Sequence, residues 1–236
     1  MSLSNEEFTI GNKQYLVIAC SVMGQGKIEN QDSLRVYSDL SQLVVVVADG
    51  LGSAAFSKEG SSVAAEVTCK LLADLHDYEE LPDKVLRTWK ERLSGKPDLY
   101  DTTIKFMKIT ETEVLYGGIG DGWIAMYGPN KYISLVAENS FSNQTDSILS
   151  YNLGKRFIMN TARLEDIETC LIATDGFSED MDKDHGKELL QDVKAQIIEN
   201  AQLFAEDLQA TMNDWPVETN RDDKTVVIVQ KKETLL

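Results

Sequence analysis

The run Leu43-Val44-Val45-Val46-Val47-Ala48 admits one local structure. It is continuous, β-branched and too short for a helix, so it reads as a strand, and it stops at Asp49-Gly50. Two other apolar stretches also lead into an aspartate followed by glycine: Asp121-Gly122 lies beyond Val114-Leu115-Tyr116, and Asp175-Gly176 follows Leu171 to Thr174. A pair, Asp222-Asp223, stands just before a final strand from Thr225 to Gln230, and Asp32 precedes an early one from Leu34 to Tyr37.

The remaining elements follow from periodicity. Tyr15 to Ser21 reads as a strand. Between Ser57 and Leu75, Val63, Val67, Leu71 and Leu75 recur every four residues with Glu66, Lys70 and Asp74 on another face, which predicts an amphipathic helix. A second helix is expected from Pro82 to Leu93, with proline in its first turn and Gly95 beyond its end. From Thr102 the period falls to about two. Four short strands joined by glycine-rich turns, running to Ala137, are expected to form an antiparallel meander. Two helices fit Lys187 to Asn200 and Ala201 to Met212. No repeat or linker divides the chain, so residues 1–236 are expected to form one domain of antiparallel sheets with helices packed outside.

Charge narrows the partners. With 23 basic against 39 acidic residues the net charge is −16, which argues against binding to nucleic acid or to anionic lipid, since both need basic patches. The polar, acidic start (Met1 to Glu7) lacks the features of a signal peptide, and no apolar run approaches the roughly 20 residues of a membrane span. Cys20, Cys69 and Cys170 are odd in number and far apart, as expected of reduced, buried thiols in a cytoplasmic protein. His76 and His185 are isolated and expected at the surface; Trp89, Trp123 and Trp215 are expected to pack in the core or at an interface. Lys231-Lys232 reads as a solvated tail, and the polar stretch Glu138 to Thr145 as either a surface loop or a flap beside the substrate.

Carboxylates gathered at strand ends would repel one another unless cations neutralised them. Oxygen ligands without histidine or cysteine suit hard ions such as Mg²⁺ and Mn²⁺. Each pair also has a plainer reading. Asp-Gly is a common hairpin signal, which suits Asp121-Gly122, and Asp222-Asp223 alone reads as a solvated turn. The segments after Asp49-Gly50 and Asp175-Gly176 look helical, so a hairpin fits them less well. Gly24-Gln25-Gly26-Lys27 is not a nucleotide phosphate loop, because Ser21 occupies the first glycine position and Ile28 replaces the required hydroxyl residue.

Five motifs, in order from Lys27 to Val226, resemble those of the metal-dependent serine/threonine protein phosphatases of type 2C, in a compact, bacterial-looking branch. They are Lys27-Ile28-Glu29-Asn30-Gln31-Asp32-Ser33, Val47-Ala48-Asp49-Gly50-Leu51-Gly52, Gly120-Asp121-Gly122, Ala173-Thr174-Asp175-Gly176 and Asp222-Asp223-Lys224-Thr225-Val226. The resemblance implies an α+β fold, a four-layer αββα sandwich of two central antiparallel sheets flanked by helices. It implies that Asp49, Gly50 through its carbonyl, Asp175 and Asp222 bind two Mn²⁺ or Mg²⁺ ions, with Asp32 acting through water and Asp121 and Glu179 near a third ion. A hydroxide bridging the ions would attack phosphorus directly, with no phosphoenzyme.

Some positions depart from the family pattern. Lys27 stands where an arginine usually binds phosphate, Gln31 replaces an acidic neighbour of Asp32, Glu179 replaces a shorter aspartate, and Asp223 takes the place of a common asparagine. The implied substrate is a phosphorylated protein, with a serine/threonine kinase as a potential regulatory partner and a monomer as the expected state. The other reading is a phosphatase fold of low activity that serves as a regulatory, phosphoprotein-binding module.

Overall fold

The computed structural model describes residues 2–136 and 145–232. Eleven strands among them form two antiparallel sheets. The first, in the order β1-β2-β11-β10-β7-β8, joins Ser2–Ile10, Lys13–Val22, Lys224–Lys231, Thr169–Ala173, Trp123–Gly128 and Lys131–Val136. The second, β3-β4-β5-β6-β9, joins Asp32–Ser38, Gln42–Asp49, Ile104–Thr110, Glu113–Ile119 and Ile158–Arg163. Helices α1 (Ser57–Asp74) and α2 (Leu81–Arg92), with the short α3 (Leu153–Arg156), cover the second sheet, and α5 (Gly186–Asn213) covers the first. The four-layer αββα sandwich is therefore present.

Three apolar layers hold it together. β4 shows why its sequence is an unbroken apolar run: Leu43, Val45 and Val47 meet the facing sheet, while Val44, Val46 and Ala48 meet α1 and α2. β2, β10 and β11 are sandwiched in the same way, with Val17, Ile172 and Val227 turned to the inter-sheet layer and Ile18, Leu171 and Ile228 turned to α5. A strand buried on both faces has no polar alternation to show. Trp89 and Trp123 are fully buried, and their indole N–H groups donate to the Gly60 carbonyl at 3.0 Å and to Ser134 at 2.9 Å.

The structure corrects several expectations. The stretch 104–136 is not a meander in one sheet. β5 and β6 pair in the second sheet, and β7 and β8 pair in the first. The crossing is made at Gly120, whose φ of +103° lies in the region glycine favours and where a Cβ would come within 2.5 Å of Thr103. The polar N-terminus is a strand, β1, pairing with β2 from Ser2↔Ser21 to Ile10↔Lys13. Only Leu3, Phe8 and Ile10 of β1 meet the core, and its charged face is how an edge strand avoids further pairing. β9 is a second edge strand that periodicity did not reveal.

Lys231 and Lys232 are not a loose tail. Their amides donate to the carbonyls of Glu168 and Gln14, both at 2.8 Å, and Lys232 Nζ reaches Glu7 at 2.7 Å. The two helices expected at 187–200 and 201–212 are both present within α5 and meet at Asn200, whose φ of −160° and ψ of 96° leave the helical region and whose side chain caps the second helix at the Leu203 amide. The three cysteines are free and buried, and both histidines are exposed. The loop expected at Glu138 to Thr145 lies, except for Thr145, outside the described residues. None of the described helices is long and apolar enough to cross a membrane.

Candidate active site

β3 begins and β4 ends at one edge of the second sheet, and Asp32 and Asp49 are direct cross-strand partners there. In the first sheet, β10 ends at Ala173 and β11 begins at Lys224, so Asp175 and Asp222-Asp223 leave their strands at one common edge. Thr174 ties the two sheets together: its hydroxyl donates to Asp32 Oδ2 at 2.8 Å and accepts the Thr225 amide at 3.0 Å. Asp175 opens the short helix α4 (Asp175–Ser178). Gly176 lets that helix close on the 222–223 loop, because a Cβ there would lie 2.0 Å from the Asp223 carbonyl oxygen.

The outcome is four carboxyl groups, Asp32, Asp49, Asp175 and Asp222, whose charges act on one another. Burial, with the charges of Asp223 and Asp175 adding to it, pushes Asp32 up to about 7 despite hydrogen bonds from Thr225 and Thr174 that favour its ionised form. Asp49 is driven well above the carboxylate range, first by burial and then by the charges of Asp32, Asp175 and Asp222. Asp175 rises to about 6, through burial and then the charge of Asp121. Glu179 is raised by burial and by Asp121 and Asp222. Asp121, at the crossing between β6 and β7, accepts the Thr145 hydroxyl at 2.6 Å.

One atom stands out: Asp32 Oδ1 is buried and has no hydrogen-bond partner among the described residues. A buried carboxylate oxygen left unpaired is costly, and a set of oxygen donors with excess negative charge is the chemistry a divalent cation satisfies. The residues present therefore fit such ions. Among the described residues, however, no three His, Cys, Asp or Glu side chains already stand at ligand spacing. Asp222 is drawn to Lys27 by an ion pair, and Lys27 Nζ also lies 3.0 Å from Asp223 Oδ2.

An open cleft of about 680 Å³ is lined by Lys27, Ile28, Glu179, Arg221 and Asp222 among others. Gln31 turns its amide away from the carboxyl group, onto the Ser57 hydroxyl at 2.6 Å. Gly50 sits between the Gln31 carbonyl, 3.2 Å from its amide, and an isolated bridge to Thr102. Thus the structure brings together Asp32, Asp49, Asp175 and Asp222, places Lys27 on Asp222, and sets Asp121 and Glu179 close enough to perturb Asp175.

Sequence reasoning missed two supporting residues. Thr174 is the hydrogen-bond link between sheets; its place immediately before Asp175 was the available signal. Asp223 is fully buried and accepts the amides of Gly24 at 2.8 Å and Gln31 at 2.9 Å, so it fastens the loop before β3 to the loop before β11.

The same architecture occurs in solved structures. RsbX in complex with magnesium shares 17% identity, with 98% of this chain and 100% of that one covered and a TM-score of 0.66. The serine/threonine phosphatase Stp1 from Staphylococcus aureus shares 16%, over 98% and 100% of the two chains, at 0.64. The catalytic domain of the serine/threonine protein phosphatase PstP, with two manganese ions, shares 17%, over 93% and 99%, at 0.60. At these identities the likeness is one of fold. No curated protein sequence matches. The sequence model described as protein phosphatase 2C matches residues 24–215, from the loop before Lys27 to Trp215, and the chain belongs to that family of serine/threonine phosphatases.

Proposed function

We propose that this chain is a metal-dependent phosphoprotein phosphatase acting on phosphoserine and phosphothreonine. The observation that carries this reading is the convergence of Asp32, Asp49, Asp175 and Asp222 from four separate segments, with one buried carboxylate oxygen left unpaired among the described residues. Asp49, Asp175, Asp222 and the Gly50 carbonyl would hold two divalent ions, with Asp32 supporting them through water and Asp121 and Glu179 beside a third. Relatives with magnesium and with two manganese ions support Mg²⁺ or Mn²⁺ as the ions. When bound, such ions supply a water of lowered pKa as nucleophile and neutralise phosphoryl charge.

The protein's own groups set the rest. Thr174 orients Asp32 and holds its carboxylate toward the cluster. Lys27, on the cleft wall, offers a positive point charge to a phosphoryl oxygen. No thiol competes as a nucleophile: burial pushes Cys20 and Cys69 up to about 11 and Cys170 to about 12, so all three remain protonated at neutral pH. Their burial argues against a phosphocysteine route.

One observation favours a slower variant of this activity or a regulatory, phosphoprotein-binding role. Lys27 is engaged with Asp222 and Asp223 and brings a point charge in place of an arginine's two-pronged fork, while Gln31 is engaged with Ser57 and adds no carboxylate. The test is hydrolysis of p-nitrophenyl phosphate and of a phosphothreonine peptide, with Mn²⁺ and then with EDTA, using Asp175→Ala as control. Metal-dependent turnover lost in the variant establishes the phosphatase. A folded, metal-binding protein that binds phosphopeptide without turnover establishes the regulatory role.

A further inference from the structure

Lys27 sits in the loop between β2 and β3, and three contacts fasten that loop to Asp223. The Gly24 amide donates to Oδ1, the Gln31 amide to Oδ2, and Lys27 Nζ to Oδ2 at 3.0 Å. The ammonium also forms an ion pair with Asp222 Oδ1. The two backbone contacts hold the loop in place without Lys27, so the side chain is free to leave while its base stays put. Lys27 is half-buried, on the wall of the cleft that also holds Asp222 and Glu179. An ammonium is a compact charge with three donors on a flexible stem, which suits it to serve two carboxylates at once and to move.

We propose that Lys27 is a built-in competitor at the metal site. Its ammonium occupies the Asp222 carboxylate, releases it when that carboxylate accepts a divalent ion, and is then available to a phosphoryl anion in the same cleft. The inference rests on the reading of Asp222 as a metal ligand. It couples two ligands: a phosphoryl anion that draws Lys27 away favours the metal-bound state, and by linkage the metal favours anion binding to the same degree.

The experiment is calorimetric titration of Mn²⁺ into the metal-free full chain, as wild type, Lys27→Gln and Arg221→Gln. Arg221 is exposed in the same cleft and forms no ion pair among the described residues, so its loss reports only the general effect of removing a positive charge. Lys27→Gln is expected to bind Mn²⁺ about fivefold tighter, the worth of one part-exposed ion pair, while Arg221→Gln shifts affinity less than about twofold. Inorganic phosphate is expected to tighten Mn²⁺ binding to the wild type more than to Lys27→Gln. Lys27→Met, which keeps the apolar stem, serves if the glutamine variant does not fold.

Unchanged or weaker binding in the Lys27 variant, or equal tightening in Arg221→Gln, overturns the inference and leaves the phosphatase reading intact. A wild type that neither binds Mn²⁺ nor hydrolyses phosphate esters with it overturns the phosphatase reading, and this inference with it.

Discussion

Asp32→Asn tests whether the carboxylates are gathered as described, without recourse to activity. In the metal-free protein Asp32 is buried, pairs across the strands with Asp49, and is pushed from an ordinary value near 3.8 up to about 7. The folded protein therefore holds a proton at pH 5 that the unfolded chain has largely released. The folded state binds more protons than the unfolded one between about pH 4 and 7, so stability falls as pH rises through that window. Above it, the ionised group opposes folding by up to about 4 kcal/mol, or about 2–4 kcal/mol when the cluster shares its protons.

Asparagine keeps an oxygen to accept from Thr174 and removes the charge. The metal-free variant is expected to melt roughly 5–12 °C above wild type at pH 8, by the usual conversion for a chain of this size. At pH 5 the gap should shrink by more than half, because wild-type Asp32 is then protonated in the fold and only part of the difference remains. Saturating Mn²⁺ should remove the advantage by neutralising the charges the variant no longer carries. The assay is differential scanning calorimetry after exhaustive EDTA treatment and dialysis. Equal melting temperatures at pH 8, or a gap of the same size at both pH values, would refute the reasoning.

Other expectations follow from single contacts. Asp223→Ala removes a buried acceptor from the Gly24 and Gln31 amides and from Lys27, and should cost about 3–5 kcal/mol in a denaturant melt. Gly176→Ala forces a Cβ to within 2.0 Å of the Asp223 carbonyl and so displaces α4; kcat on p-nitrophenyl phosphate should fall about 100-fold while far-UV circular dichroism stays native. Asp175→Asn, which keeps the volume of the side chain and removes its charge, should abolish metal-dependent hydrolysis and weaken Mn²⁺ binding in calorimetry. Iodoacetamide should label Cys20, Cys69 and Cys170 only on unfolding, since burial keeps all three thiols protonated; rapid labelling of the native protein would contradict their placement.

What the sequence revealed follows from how each residue is buried. β4, β10 and β11 were legible because both faces are covered, so the middle of each is an unbroken apolar run: Leu43 to Ala48, Cys170 to Ala173 and Val226 to Val229. Their ends were legible for the same reason: Asp49 and Asp175 follow such runs and break the apolar pattern abruptly, and Asp222-Asp223 stand just before the last one. β1 and β9 were not legible. As edge strands they bury few side chains and are otherwise mostly polar and exposed, so their local pattern is that of a loop, and only pairing with β2 and β6 makes them strands.

The crossing at Gly120 was hidden in a different way. A glycine-rich stretch between two apolar runs specifies a reversal, and the sheet that receives the second run depends on what that run packs against. Trp123 and Ala125 of β7 face α5, while Ile124 and Met126 enter the layer between the sheets. That choice moves Asp121 from an ordinary hairpin tip to the seam where the two sheets meet, and there its charge reaches Asp175 and Glu179. The motif could be read in the sequence, but its membership in the acidic site comes from long-range packing, by which two sheets bring their carboxylate-bearing ends together.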